Sequence, residues 1–223
     1  MFNRRAFLSL AALSIYPIGA RSYVLPGYGI IREAKSKLKA SKGLKVTLET
    51  QVWGSETRLM TTVSERWNFS GAGQLTILGS TSETAWSLGM DAPSASTFPG
   101  LDLRVILIGL FGMGGLDSVL SHLRIDSKKS RLGLLNKTPM LVVGTKTKQE
   151  RAPEIWFNKR TWMVERLRFG ALQTSYDLRL SDWTAPATQG IFPGRMTLNL
   201  NDRPIRLSKT VGINRLKGRV KGG

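Results

Sequence analysis

From Leu44 to Val52 the chain alternates strictly. Leu44, Val46, Leu48, Thr50 and Val52 fall on one side and Lys45, Thr47, Glu49 and Gln51 on the other, the period of two that marks a strand with one buried face. TRLMTTVSERWNF (57–69), GQLTILGS (73–80) and ETAWSLGM (83–90) carry the pattern on around Gly54-Ser55, Gly71, Gly73 and Gly79, which predicts an antiparallel meander. Ahead of it, GYGIIREAKSKLKASKG (27–43) has a helical period. Ile30, Ile31, Ala34 and Leu38 share one stripe, the methylenes of Lys35 extend it, and Gly43 ends it.

APSASTFPG (92–100), small residues with two prolines, predicts a loop. Residues 101–123 are helical in composition but interrupted at Gly112 to Gly115, which predicts two short helices joined at those glycines. DSKKSRLG (126–133) is polar and basic and is expected to be a solvated connection. Strands resume in TPMLVVGT, PEIWFN, TWMVERLRFG, LQTSYDLRL and GRMTLNLND, and the last turns back through Asn201-Asp202 into RPIRLSK. A helix, four or so strands, a helical insertion and five or six more strands add up to an α+β fold. Its antiparallel sheet is long enough to curl, with the helices on one side.

The run RVILIGLFGMGGLDSVL (104–120) invites two other readings, and both fail. Its uninterrupted apolar core, Val105 to Leu116, is twelve residues, whereas a bilayer needs about 20 at helical rise. A phosphate loop would follow its last glycine with Lys and Ser or Thr, but Leu116 and Asp117 stand there.

The N-terminus changes the setting. MFNRRAFLSLAALSIYPIGARS places Arg4 and Arg5 before an apolar stretch that ends in Gly19-Ala20, the layout of an export signal over residues 1–20. The paired arginines followed by Ala, Phe and Leu resemble a twin-arginine motif, from which Asn3 and Ser9 depart; a general secretory signal accounts for the same residues. Ile18 is bulky for cleavage after Ala20, so an uncleaved membrane anchor stays open. Cysteine is absent, which excludes disulfides, thiolate metal sites and a lipidated N-terminal cysteine. The net charge is +18, or +16 once Arg4 and Arg5 leave with the signal. In an exported protein that surplus points to anionic membrane surfaces, lipid head groups or acidic envelope proteins rather than nucleic acid; a plainly solvated basic surface accounts for it equally well.

No catalytic constellation emerges. His122 is the single histidine and falls inside a predicted helix, where a structural role is the ordinary one. Ser127, Lys128 and Ser130 offer a serine/lysine pair but sit in a basic polar run, and Asp91, Asp102, Asp117 and Asp126 stand where turns and helix starts want caps. Neither a cofactor nor a metal site is expected.

The strand–turn–strand unit PEIWFNKRTWMVERLRF, the terminal hairpin FPGRMTLNLNDRPIRLSKTVGIN and the helix leading into LKVTLETQVWG resemble the LolA family of periplasmic lipoprotein carriers. The resemblance runs through most of residues 28–214 and lies in the layout of elements. It implies a single half-barrel domain over residues 21–223 with a basic C-terminal tail, an incomplete β-barrel whose apolar interior is covered by helices and receives the acyl chains of a lipoprotein. It also implies a monomeric, non-enzymatic periplasmic protein that works between an inner-membrane transporter and an outer-membrane acceptor. LolB-type acceptors carry a lipidated N-terminal cysteine, and this chain has none. On that resemblance Val46, Leu48, Trp53, Leu59, Trp67, Leu75, Trp86, Trp156 and Trp162 wall the cavity, the alternative for each tryptophan being that it simply fills the core. Ile106, Leu107, Leu110, Phe111 and Met113 form the lid, and Gly112, Gly114 and Gly115 its hinge; the alternative is a plain core hairpin of two helices with glycines for close packing. The family's strand arginine that holds the lid has two candidates, Arg58 and Arg66. The alternative is an envelope scaffold with the same fold and no lipid-filled cavity, recognising an acidic partner or a membrane surface.

Overall fold

A computed structural model describes residues 25–37, 44–53, 59–69, 75–80, 85–88, 97–98, 101–111, 115–148, 152–171 and 174–215. Eleven strands form one antiparallel sheet that curves but does not close. These are β1 (Leu44–Trp53), β2 (Leu59–Phe69), β3 (Leu75–Ser80), β4 (Ala85–Leu88), β7 (Ser130–Leu135), β8 (Thr138–Val143), β9 (Glu154–Asn158), β10 (Val164–Ala171), β11 (Thr174–Ser181), β12 (Arg195–Leu200) and β13 (Arg203–Arg215). The order across the sheet is β4-β3-β2-β1-β13-β12-β11-β10-β9-β8-β7. Every neighbour except β1 beside β13 is adjacent in sequence, so two meanders are joined where the terminal hairpin returns to lie against β1. β5 (Thr97–Phe98) and β6 (Leu101–Asp102) make a separate two-residue ladder at the end of the segment expected as a loop.

Among the described residues three α-helices, α1 (Gly27–Lys37), α2 (Leu103–Phe111) and α3 (Gly115–His122), lie on one face. Two short helices broken after Phe111 match the sequence expectation. On α1 Ile30, Ile31 and Ala34 of the predicted stripe are buried; Lys35 is exposed and pairs with Asp117, and Leu38 lies outside the described residues. At nine and eight residues, α2 and α3 are too short to persist alone, so their packing on the sheet holds them. They pack closely against each other at Gly109, where a Cβ would stand 2.4 Å from Val119 Cγ2 and 2.9 Å from Ser118 Oγ.

Of the residues that alternation assigned inward on β1, Leu44, Val46, Leu48 and Thr50 are buried and Val52 is half-buried. Between β12 and β13 Asn201 and Asp202 take φ of 48° and 64°, the paired left-handed residues of a tight hairpin. Residues 126–133 differ from expectation. Ser130 onward forms β7, the edge strand, turned into β8 through Asn136 and Lys137 with φ of 48° and 65°. Arg131 is buried on the face away from the helices, opposite Val142, and Leu132 and Leu134 are exposed, so burial here runs against the apolar alternation.

Candidate functional site

The sheet has two faces with different chemistry, and the inner face, under the helices, is apolar at its centre. Trp67 and Phe69 on β2, Phe111 at the end of α2 and Phe192 from the β11–β12 connection form a continuous aromatic cluster. Phe111 and Phe192 lie 4.6 Å apart, Phe69 and Phe192 6.1 Å, Trp67 and Phe192 6.5 Å, and half-buried Trp183 stands 6.0 Å from Phe111. Around it Leu48, Ile106, Leu107, Leu110, Val119, Leu141, Val143, Ile155, Phe157, Leu167, Leu178 and Leu198 complete one core. Phe192 has no periodic context in the sequence; its one signal is a large apolar residue set directly before Pro193-Gly194.

At one side of this core sits a buried polar cluster. Arg206 on β13 pairs with Glu65 on β2, and both side chains are almost wholly buried. Thr50 on β1 donates to Glu65 Oε2 (3.2 Å) and shares a hydrogen bond with Ser208 (2.9 Å). Trp67 Nε1 donates to the same carboxylate oxygen (2.9 Å), and the Arg206 guanidinium lies 5.6 Å from the centre of the Trp67 ring. A buried ion pair survives only when its remaining hydrogen-bonding capacity is met, and here two hydroxyls and an indole supply it.

Among the described residues, then, Arg206 is a strand arginine buried on the inner face, and Glu65, Thr50, Ser208 and Trp67, all on strands, surround it. Arg66 is exposed on the other face of β2, and Arg58 lies outside the described residues. Sequence reading missed Arg206 because it follows Pro204 and a bulge. Between Leu198/Asn199 on β12 the register shifts, so inward and outward positions cannot be counted from the turn.

The outer face carries a second set of polar contacts on β7 to β11. Glu154 accepts from Arg131 (2.7 Å), Thr145 (2.9 Å) and Arg168 (3.2 Å). Asp177 accepts two hydrogen bonds from Arg166 (2.7 and 2.8 Å) and one from Arg179 (3.0 Å). Burial pushes the Asp177 carboxyl up, but the hydrogen bonds and charge of Arg166, and then those of Arg179, outweigh it and hold its pKa below the usual carboxylate range. Burial raises that of Tyr176 on the opposite face.

Trp156 belongs to this outer face, and its placement in the cavity wall is corrected. It packs with Met140 and Val142 between the guanidinium groups of Arg131 (5.1 Å) and Arg166 (5.2 Å). On β9 the inward residues are Ile155 and Phe157, and a one-residue step reverses the face. Gly133 makes room for it, since a Cβ there would stand 3.0 Å from the ring.

Of the other residues assigned to the wall, Val46, Leu48 and Trp67 are buried in the inner core, and Trp162 packs half-buried against it from the β9–β10 turn. Trp53 is half-buried at the end of β1. Leu59, Leu75 and Trp86 lie in β2, β3 and β4, and their side chains are outside what the structure describes. Of the lid, Ile106, Leu107, Leu110 and Phe111 are buried in the core; Met113, Gly112 and Gly114 lie outside the described residues, and Gly115 opens α3 at φ 68°. His122 is exposed at the end of α3. Among the described residues no group of three or more His, Cys, Asp or Glu side chains is placed to hold a metal ion.

No protein-family model and no curated protein matches the chain in sequence. Solved structures do match in fold. A LolA superfamily protein from Nitrosomonas europaea aligns over 86% of this chain and 94% of its own, with a TM-score of 0.50 and 9% identity. The fold is LolA-like. A DUF1329 family protein from Desulfovibrio piger aligns over 86% and 92% (TM-score 0.46, 10% identity). A putative outer membrane lipoprotein-sorting protein domain from Vibrio parahaemolyticus aligns over 85% and 92% (0.40, 13%). The first of these alignments, at 9% identity, speaks to the fold alone.

Proposed function

We propose that this chain is a non-enzymatic periplasmic carrier that takes the acyl chains of a lipoprotein, or of a free lipid, between α2–α3 and the inner face of the sheet. In this role it collects cargo from an inner-membrane transporter and delivers it to an outer-membrane acceptor. The supporting observation is how the apolar interior is closed: two short helices cover it through side chains, with Phe111 on Phe192 as the closest ring contact (4.6 Å). Those side chains occupy the space, so acyl chains enter only if α2 and α3 lift. Each acyl methylene withdrawn from water contributes about 0.8 kcal/mol, enough over a whole chain to replace what the helices give up.

This reading takes residues 1–20 as an export signal ahead of a single domain; those residues lie outside the described ones. No helix among the described residues is long and apolar enough to cross a membrane. The experiment is native mass spectrometry and lipid extraction on protein purified from the envelope without detergent. Acylated cargo in stoichiometric amount is expected. A chain that is empty as purified and still empty after incubation with a triacylated peptide overturns the carrier reading and leaves the scaffold alternative.

A further inference from the structure

The turns β7–β8 and β9–β10 lie side by side at one end of the sheet, tied by the Lys159 N–H donating to the Pro139 carbonyl (3.2 Å). Between them is a cleft of about 520 Å³ lined by Lys137, Thr138, Pro139, Asn158, Lys159 and Arg160. Three of these are cations and none is an acid. Asn158 stiffens the second turn: its Oδ1 accepts from the N–H groups of Arg160 (2.9 Å) and Thr161 (3.1 Å), and its Nδ2 donates to Glu165 (2.6 Å). Lys137, Lys159 and Arg160 are all exposed.

Beside the cleft runs an apolar strip. Leu134 is the cross-strand partner of Pro139, so the two share a face, and Leu132 lies two residues back on that face. Leu134 is 66% exposed and Leu132 40%, two of the four large hydrophobics exposed among the described residues. β7 is an edge strand, with β8 on one side alone. Water is a poor solvent for a leucine this exposed, whereas cations at turn tips beside it match the layering of an anionic bilayer, with phosphates outermost and hydrocarbon just beneath.

We propose that this end of the sheet docks on a bilayer rich in anionic lipid, with Leu134 entering the acyl boundary and Lys137, Lys159 and Arg160 held at the phosphates. Docking does not depend on cargo. A protein with a permanently filled interior would dock in the same way, so failure here leaves the carrier reading standing, and the reverse also holds.

The chain has no cysteine, so Leu134→Cys takes an environment-sensitive fluorophore at one position, and Val211→Cys, at 43% exposure on β13, is the control. Full-length protein is mixed with phosphatidylcholine vesicles with and without phosphatidylglycerol. Apolar residues 6–20 engage either kind, so the readout is the increment that phosphatidylglycerol adds. A blue shift is expected at 134 and not at 211. Each cation near an anionic surface is worth about fivefold in binding. Lys137→Gln/Lys159→Gln/Arg160→Gln should therefore weaken the anionic increment at least tenfold, roughly, and Lys45→Gln/Arg203→Gln/Lys209→Gln far less. The proposal is overturned by an unshifted probe at 134, by an equal shift at 211, by equal losses in the two triple variants, or by binding that disappears only when residues 216–223 are removed.

Discussion

Arg206 and Glu65 meet over the top of a strand that separates them: in the order β2-β1-β13 the two side chains pair across β1, above Thr50. The pair therefore ties the first meander to the terminal hairpin on the inner face. Removing one partner strands the other charge in a place where water cannot reach it. Arg206→Met should cost about 3–5 kcal/mol in urea unfolding, and Glu65→Leu a similar amount, whereas the two together should cost less than either alone. Additive losses would show that the pair is not coupled.

Asp177 predicts a pH dependence. Its ordinary value is 3.8 and its folded value is lower. A depressed folded pKa stabilises the protein fully above the unfolded value, and that stabilisation is lost as pH falls through the folded value. Unfolding free energy should decline below about pH 4, and Asp177→Asn, less stable at neutral pH, should show a shallower decline there. Parallel acid limbs in urea titrations of the two proteins would refute the assignment.

Gly109 sets the distance between α2 and α3. Alanine gains about 1 kcal/mol in helix propensity over glycine, yet the added methyl meets Val119 and Ser118 inside contact distance. Overpacking of this kind costs about 1–3 kcal/mol, so Gly109→Ala should lower the melting temperature. Adding Val119→Ala should recover part of the loss. A single variant more stable than the parent would mean that α2 and α3 move apart to admit the methyl without cost.

Tryptophan fluorescence separates the two faces. If acyl chains enter beneath α2, emission changes at Trp183, which stands against Phe111, and not at Trp156, which is on the outer face between two arginines. Addition of a triacylated peptide should therefore shift emission in the parent and in Trp156→Phe alike, and markedly less in Trp183→Phe. The opposite pattern would place cargo on the outer face.

Local pattern carried most of the elements. Period-two alternation in 44–52 and the glycine break near 112–115 depend on residues close in sequence, and so does Asn201-Asp202 in its turn; each is decided by backbone geometry over a few residues. Strand β7 escaped because SRLGLL puts a buried arginine and a glycine on one face and exposed leucines on the other, the reverse of an apolar core strand.

What the sequence by itself determined was the alternation, the breaks and the excess of cations, and hence an antiparallel sheet with helices along one side. Tertiary structure alone decided which face each side chain of the later strands takes. A bulge or a one-residue shift reverses every side chain beyond it, and only pairing with a neighbour strand reveals the shift. That is how Arg206 came to lie within the core; every position of β9 is buried, so its pattern does not say which side meets the helices, and Trp156 lies on the other face. It also decided the partners of the buried charges: Glu65 and Arg206 are 141 residues apart, and nothing local tells a carboxylate which distant cation the fold will bring to it.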